Sequence, residues 1–119
     1  MIKIKSHTWV KIDHDFIFEE YNPEYILSWS KKIPYPVKEI KIRRSCGGNT
    51  HVCVKIGMKI SKIDELLIRA IMRDDPRRLR GDLERYALNS EIFGLLFDHK
   101  INVDTGEVFK AGNWIKIKG

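Results

Sequence analysis

Glutamine is absent from the 119 residues, cysteine occurs only twice, and proline only four times. No apolar run approaches the length needed to cross a bilayer. Cys46 and Cys53 lack the paired spacing of a zinc module, and both are expected as reduced thiols rather than as a disulfide. The opening Met1-Ile2-Lys3-Ile4-Lys5 alternates and is too short for a signal peptide, so a cytoplasmic protein is expected (host cytoplasm if viral) with no membrane partner. No internal repeat, low-complexity tract or long linker divides the chain, which reads as one domain over residues 1–119. What is plentiful is isoleucine, lysine and arginine. Together with the missing glutamine, the first two point to a hot habitat. The 43% hydrophobic and 32% charged residues describe a globular chain. A net charge of +6 and a pI near 9.4 favour polyanionic partners, namely nucleic acid or nucleoside triphosphate.

The first strand is expected over Lys3 to Asp13, where aromatic and β-branched residues crowd. Asn22-Pro23 places an N-cap and a first-turn proline, so a helix runs through Ile26, Leu27 and a core Trp29 until Pro34 and Pro36 impose extended chain. Val37 to Arg44 and His51 to Met58 read as two strands of an antiparallel hairpin. Ser61 with Asp64 forms a capping pattern before a helix whose core face is expected to be Ile63, Leu66, Leu67, Ala70 and Ile71. Asp75-Pro76 starts another, with Leu79, Leu83 and Tyr86 or Ala87 inward. Arg73, Arg77, Arg78, Arg80 and Arg85 make these helices the most basic part of the chain. Arg77, Arg78 and Arg80 are candidates for nucleic-acid contact, although the interleaved acids Asp74, Asp75, Asp82 and Glu84 compete for them. The apolar run from Ile92 to Ile101 reads as a central strand buried on both faces. A turn follows near Gly106, and Trp114 to Ile117 is a closing strand.

Two local patterns carry chemistry. The hairpin turn, Arg43-Arg44-Ser45-Cys46-Gly47-Gly48-Asn49-Thr50-His51, combines arginines, a hydroxyl and a histidine with Gly47 and Gly48. Glycines there let backbone amides approach a phosphate closely. Asp13-His14-Asp15 ends the first strand. In extended chain its two carboxylates share one face and suit a divalent cation with oxygen ligands.

The element order is βαββαβ with an extra C-terminal strand. The expected fold is therefore α+β, a ferredoxin-like or RRM-like sheet with its helices on one face. That topology places the first and third strands side by side, bringing Asp13 and Asp15 to His51 on the open face. Taken in order, Asp13-His14-Asp15, the glycine-rich turn into His51, and Leu96-Phe97-Asp98 resemble the three motifs of the archaeo-eukaryotic primase superfamily. The stretch from Arg73 to Arg80 is also similar to small primase-like proteins of archaeal and phage mobile elements. The resemblance implies that Asp13, Asp15 and Asp98 are catalytic carboxylates holding Mg2+ or Mn2+. It implies that His51 contacts an incoming nucleotide, with Arg43, Arg44, Ser45 and Lys55 on its triphosphate side. It further implies nucleotidyl transfer in DNA replication. The chain departs from the family in having no zinc module, in its small size, and in placing His14 between the aspartates and Asn49 two residues before His51.

Two other readings use the same fold. A replication-initiator nickase would use His51 as a metal ligand, with Cys53 where a second histidine belongs, and Tyr86 as nucleophile. A non-catalytic module would bind single-stranded nucleic acid on an open sheet face with a basic rim. An exposed sheet edge also fits a homodimer or a larger replication complex.

Overall fold

The computed structural model describes residues 6–90, 94, 96, 99–101 and 104–119. Strand β1 spans Thr8–His14, helix α1 Pro23–Ser30, β2 Val37–Arg44 and β3 Thr50–Ile56. Helix α2 covers Lys62–Ile71 and α3 Pro76–Ala87, followed by short strands β4 (His99–Ile101), β5 (Val108–Lys110) and β6 (Ile115–Lys118). The chain is an α+β protein, with three helices and a four-stranded antiparallel sheet ordered β1-β3-β2-β6 among the described residues.

The expected pairing of first and third strands is present, with Val10 opposite Val54 and Ile12 opposite Val52. β3 and β2 are the central strands, however, and β1 lies at an edge among the described residues. The closing strand joins the outer side of β2, with Ile42 opposite Ile115. Most of the strand expected from Ile92 to Ile101 lies outside the described residues. Its described end, His99–Ile101, pairs with β5 in a separate two-stranded ladder rather than entering the main sheet.

Alternation divides the sheet into two faces. Val10, Ile12, Ile40, Ile42, Val52, Val54 and Ile56 point inward and meet Ile26 of α1, Ile68 of α2 and Met72 in one buried cluster. Each such aliphatic side chain contributes roughly 1.5–3 kcal/mol by leaving water, and their β-branching suits the pleated sheet. Trp29 packs against this cluster, partly buried, as expected.

The helix starts follow their local chemistry. Side chains of Asn22, Ser61 and Asp75 accept from the backbone amides of Glu24, Asp64 and Arg77. The faces of α2 and α3 differ from expectation. Leu66 is buried and Ile71 packs against the core as expected, but Ile63, Leu67 and Ala70 are exposed, and Ile68, Arg69 and Met72 are buried in their place. On α3, Leu83, Tyr86 and Ala87 face solvent, and the buried residue is Asp82.

The cause is a buried ionic network. Helix α2 ends with Arg73 in the left-handed region (φ 63°), and the Asp74 amide returns to the Arg69 carbonyl at 2.9 Å. This end geometry turns Asp74 back over the helix. Arg69, fully buried, meets the Asp74 carboxylate through Nε at 2.7 Å and Asp82 through Nη1 at 2.8 Å. A buried guanidinium needs such partners, so α2 turns its Arg69 side inward and leaves Ile63 and Leu67 outside.

Candidate functional site

The face of the sheet turned away from the core carries the chemistry. Its side chains stand in three cross-strand rows. Asp13, His51 and Arg43 form the first, Lys11, Cys53 and Lys41 the second, and Trp9, Lys55 and Glu39 the third. Alternation makes each set share a face, and the hairpin register aligns them.

In the first row, Arg43 Nε donates to His51 Nδ1 at 3.0 Å. That bond requires a lone pair on Nδ1, so neutral His51 carries its proton on Nε2. Nε2 lies 3.8 Å from Asp13 Oδ1, a neighbour beyond hydrogen-bond reach. Burial, then the charges of Arg43 and Arg78, depress the His51 pKa to about 4. Burial pushes the Asp13 carboxyl up to about 6, against the pull of Arg78. At pH 7 the row therefore holds a carboxylate, a neutral imidazole and a guanidinium.

These shifts have opposite linkage signs. The folded-state pKa of Asp13 is raised, so its contribution to stability falls as pH rises from about 4 to about 6. His51 is depressed, so its contribution falls as pH drops from about 6.5 to about 4. Proton NMR of the imidazole is expected to show little protonation above pH 5 (about a tenth at pH 5) and a midpoint near 4. It should also show a separate step near pH 6 that Asp13→Asn removes. A His51 midpoint near the ordinary 6.5 would contradict this arrangement.

Asp13 is held from behind. Its amide donates to Asp74 Oδ1 at 2.8 Å, and its carbonyl accepts from the Asp75 amide at 2.8 Å. Arg78 bridges Asp74 and the Lys11 carbonyl, at 2.9 and 3.0 Å. The start of α3 is thereby docked on the end of β1.

The expected carboxylate pair separates at the strand end. β1 stops at His14 and the chain bends, so Asp15 leaves the alternation. Asp15 lines a different depression with Phe16, Trp29 and Arg73, and accepts from Asn49 Nδ2 at 3.4 Å. Between the two, His14 is buried. Its Nε2 donates to the Met72 carbonyl and its Nδ1 accepts from the Tyr21 hydroxyl at 3.2 Å. Asp98 lies outside the described residues. Among the described residues no three His, Cys, Asp or Glu side chains cluster as metal ligands.

The glycine turn is closed on itself. The amides of Ser45 and Gly48 donate to the carbonyls of Asn49 and Ser45, and the Asn49 amide to the Ser45 hydroxyl. Gly48 has φ +90°, a backbone conformation that side chains strain, and Arg44 Nη2 lies 3.1 Å from where a β-carbon would stand, so glycine is favoured there. Gly47 is open around its α-carbon. Arg44 pairs with Glu19 at 2.8 Å. The expected phosphate cradle thus has three of its amides and one arginine already engaged.

The expected helical patch is similarly engaged. Arg78 is bound as described, Arg80 pairs with Glu84 at 3.4 Å, and Arg85 with Asp82 at 3.0 Å. Arg77 remains exposed at the start of α3.

The face also has members that motif reasoning passed over, namely Trp9, Lys11, Lys41 and Trp114. Trp9, Lys11, Lys41, Arg43, Cys53, Leu96 and Trp114 line a depression of about 350 Å³. Trp114 is brought over the sheet because the Gly112 amide donates to the Arg44 carbonyl at 2.8 Å and β6 pairs with β2. Arg43 stacks on Trp114 with its guanidinium carbon 4.4 Å from the ring centre. Lys41 and Lys55 stand over Trp9 at 5.2 and 5.7 Å. Burial pushes the Cys53 thiol up to about 11, so it is protonated at neutral pH. No disulfide joins it to Cys46. The signal was present in the outward parity of β1 and β2, which places Trp9, Lys11 and Asp13 on the same face as Lys41 and Arg43, across β3 from them.

No family model matches the chain, and neither a curated protein nor a solved structure matches it.

Proposed function

We propose that this chain binds nucleotides or nucleic acid through their phosphates on the open face of the sheet. The observation that carries this reading is the set of four cations, Lys11, Lys41, Arg43 and Lys55, on adjacent strands of one face. The His51 imidazole lies beneath them, buried, with its Nε2–H toward Asp13. Glu39 offsets part of the charge through Lys41 and Lys116, at 3.6 and 3.3 Å. A ferredoxin-like or RRM-like ancestry agrees with the adjacency of β1, β3 and β2, and the primase-like motifs fall on this face through Asp13 and His51.

The test is anisotropy of a labelled single-stranded oligonucleotide across a salt series. If four cations meet phosphates, log K is expected to fall with a slope of about −2.8 against log salt, or about fiftyfold between 50 and 200 mM. Binding that ignores salt, or no binding at low salt, overturns the proposal.

A second reading adds a divalent cation, as the primase resemblance implies. It is favoured by the raised Asp13 carboxyl, whose ionised form a cation would stabilise. Asp13 would be the ligand on this face, holding Mg2+ or Mn2+ through its oxygens together with the bound phosphates, since Asp15 lines a different depression and Asp98 lies outside the described residues. Manganese is expected to strengthen nucleoside triphosphate binding in the wild type but not in Asp13→Asn. An equal gain in that variant removes the metal from the mechanism.

The nickase reading draws less support. Arg43 occupies the Nδ1 of His51, Cys53 is a protonated thiol, and Tyr86 lies about 12 Å along α3 from the Arg78 contact with the sheet.

A further inference from the structure

We propose that the depression walled by Trp9 and Trp114 stacks one unpaired nucleobase, so that the open face selects single strands or free nucleotides over duplex. This rests on the phosphate-binding reading above and names the ligand's other half.

The two indoles are the reason. Trp9 is half-buried and Trp114 is 37% exposed. Both stand on a face otherwise dominated by charge, where large apolar rings gain little from the core. Their rings line the same depression of about 350 Å³, within the size range of small-ligand sites, about 300–1,000 Å³. Its remaining lining supplies the cations Lys11, Lys41 and Arg43, with the Cys53 thiol and the apolar Leu96. An aromatic ring carrying a phosphate matches both halves of that lining.

The cations over the rings show how the site would be filled. Lys41 and Lys55 rest over Trp9 at ring distances of 5.2 and 5.7 Å. Such contacts are weak where water competes, and both lysines have long flexible stems. A base sliding onto Trp9 displaces the ammonium groups, which then meet its phosphate. Trp114 differs, because Arg43 on its ring is also bonded to His51. That wall is held in place before the ligand arrives, and the Gly112 and β6 contacts anchor its backbone. A paired base inside a duplex has both of its faces covered and cannot enter without being unstacked. Stacking on aromatic side chains tolerates any base, so little sequence preference is expected.

The experiment compares four probes by anisotropy or competition: a short oligothymidylate, an abasic strand of equal length, a duplex and a nucleoside triphosphate. Wild-type protein is expected to prefer the oligothymidylate over the abasic strand by about five- to a hundredfold, and to bind the duplex more weakly than the single strand. Trp114→Ala should erase the preference for bases, and Trp114→Phe should recover part of it. Trp9→Phe gives a second, milder change at the opposite wall. Circular dichroism of each variant confirms that the fold is kept. A triphosphate that competes as well as the strand, in a Trp114-dependent way, identifies a free nucleotide as the ligand. A strand that binds far more tightly identifies single-stranded nucleic acid. Either result supports the base pocket. Equal binding of thymidylate and abasic strands, or a base preference untouched by Trp114→Ala, overturns it. In that case salt-dependent binding of the abasic strand would leave the phosphate reading intact. Failure of every probe overturns both.

Discussion

Asp74→Ala is expected to destabilise the protein by about 3 kcal/mol, the lower end of the loss typical when one partner leaves a buried ion pair. Asp74 is a hub. One oxygen accepts from Arg69 Nε at 2.7 Å and the other from the Asp13 amide at 2.8 Å, while Arg78 Nη1 approaches both at 2.9 and 3.0 Å. Without the carboxylate, two guanidinium groups lose their shared counter-charge inside the protein, and a backbone amide loses its acceptor. Asp82 still faces Arg69 at 2.8 Å, which keeps the loss from reaching the upper end near 5 kcal/mol. Since domains of this size are stable by only about 5–15 kcal/mol, urea unfolding followed by circular dichroism will register the change. Asp74→Asn retains acceptor oxygen and should lose less. A loss below about 1 kcal/mol for the alanine variant would mean that the network is not what holds α2 and α3 to β1. The same change should loosen the end of β1, and with it the placement of Asp13 opposite His51.

Reversing the charge of Lys11 and Lys41 together, as Lys11→Glu with Lys41→Glu, is expected to weaken oligonucleotide binding about a hundredfold near 50 mM salt. Each side chain in contact with a phosphate gains about 1 kcal/mol at 4 Å in water, so each reversal swings the interaction by about 2 kcal/mol. Screening trims the pair of changes to about 3 kcal/mol. Two fewer phosphate contacts should also bring the salt slope from about −2.8 to about −1.4. Lys11 is exposed and Lys41 partly so, and neither contributes to the core cluster, so the fold should survive. Lys41 does give up its contact with the partly buried Glu39, which still keeps Lys116 at 3.3 Å. Binding unchanged by this double reversal would move the ligand off the open face, and Arg77 at the start of α3 would become the next surface to reverse.

Much of this architecture is written locally. The caps at Asn22, Ser61 and Asp75 are readable because each is a side chain bonding an amide two or three residues away. The strands and their parity follow from β-branched residues alternating with charged ones, and the hairpin from glycines at a single turn. The same parity puts His51 and Asp13 on one face, which is why a motif-based reading could anticipate their meeting. Asp15 escaped that logic because alternation holds only while the chain stays extended, and β1 ends one residue before it.

The chain by itself therefore determined the α+β class, the helix starts, the strand faces and the surplus of positive charge, since all depend on neighbours in sequence. Tertiary structure decided the rest. Helix α2 carries apolar residues on more than one side, and its inward side was selected by Arg69 finding Asp74 and Asp82, five and thirteen residues away. The pairs of Arg78, Arg80 and Arg85 with Asp74, Glu84 and Asp82 lie three or four residues apart and were legible in the interleaved acids, whereas the burial of Asp74 and Asp82 against Arg69 was not. Trp114 joined Trp9 only because β6 pairs with β2, more than seventy residues earlier in the chain. Those outcomes depend on charges and rings meeting across the fold, where the energy of a contact has no trace in the local pattern.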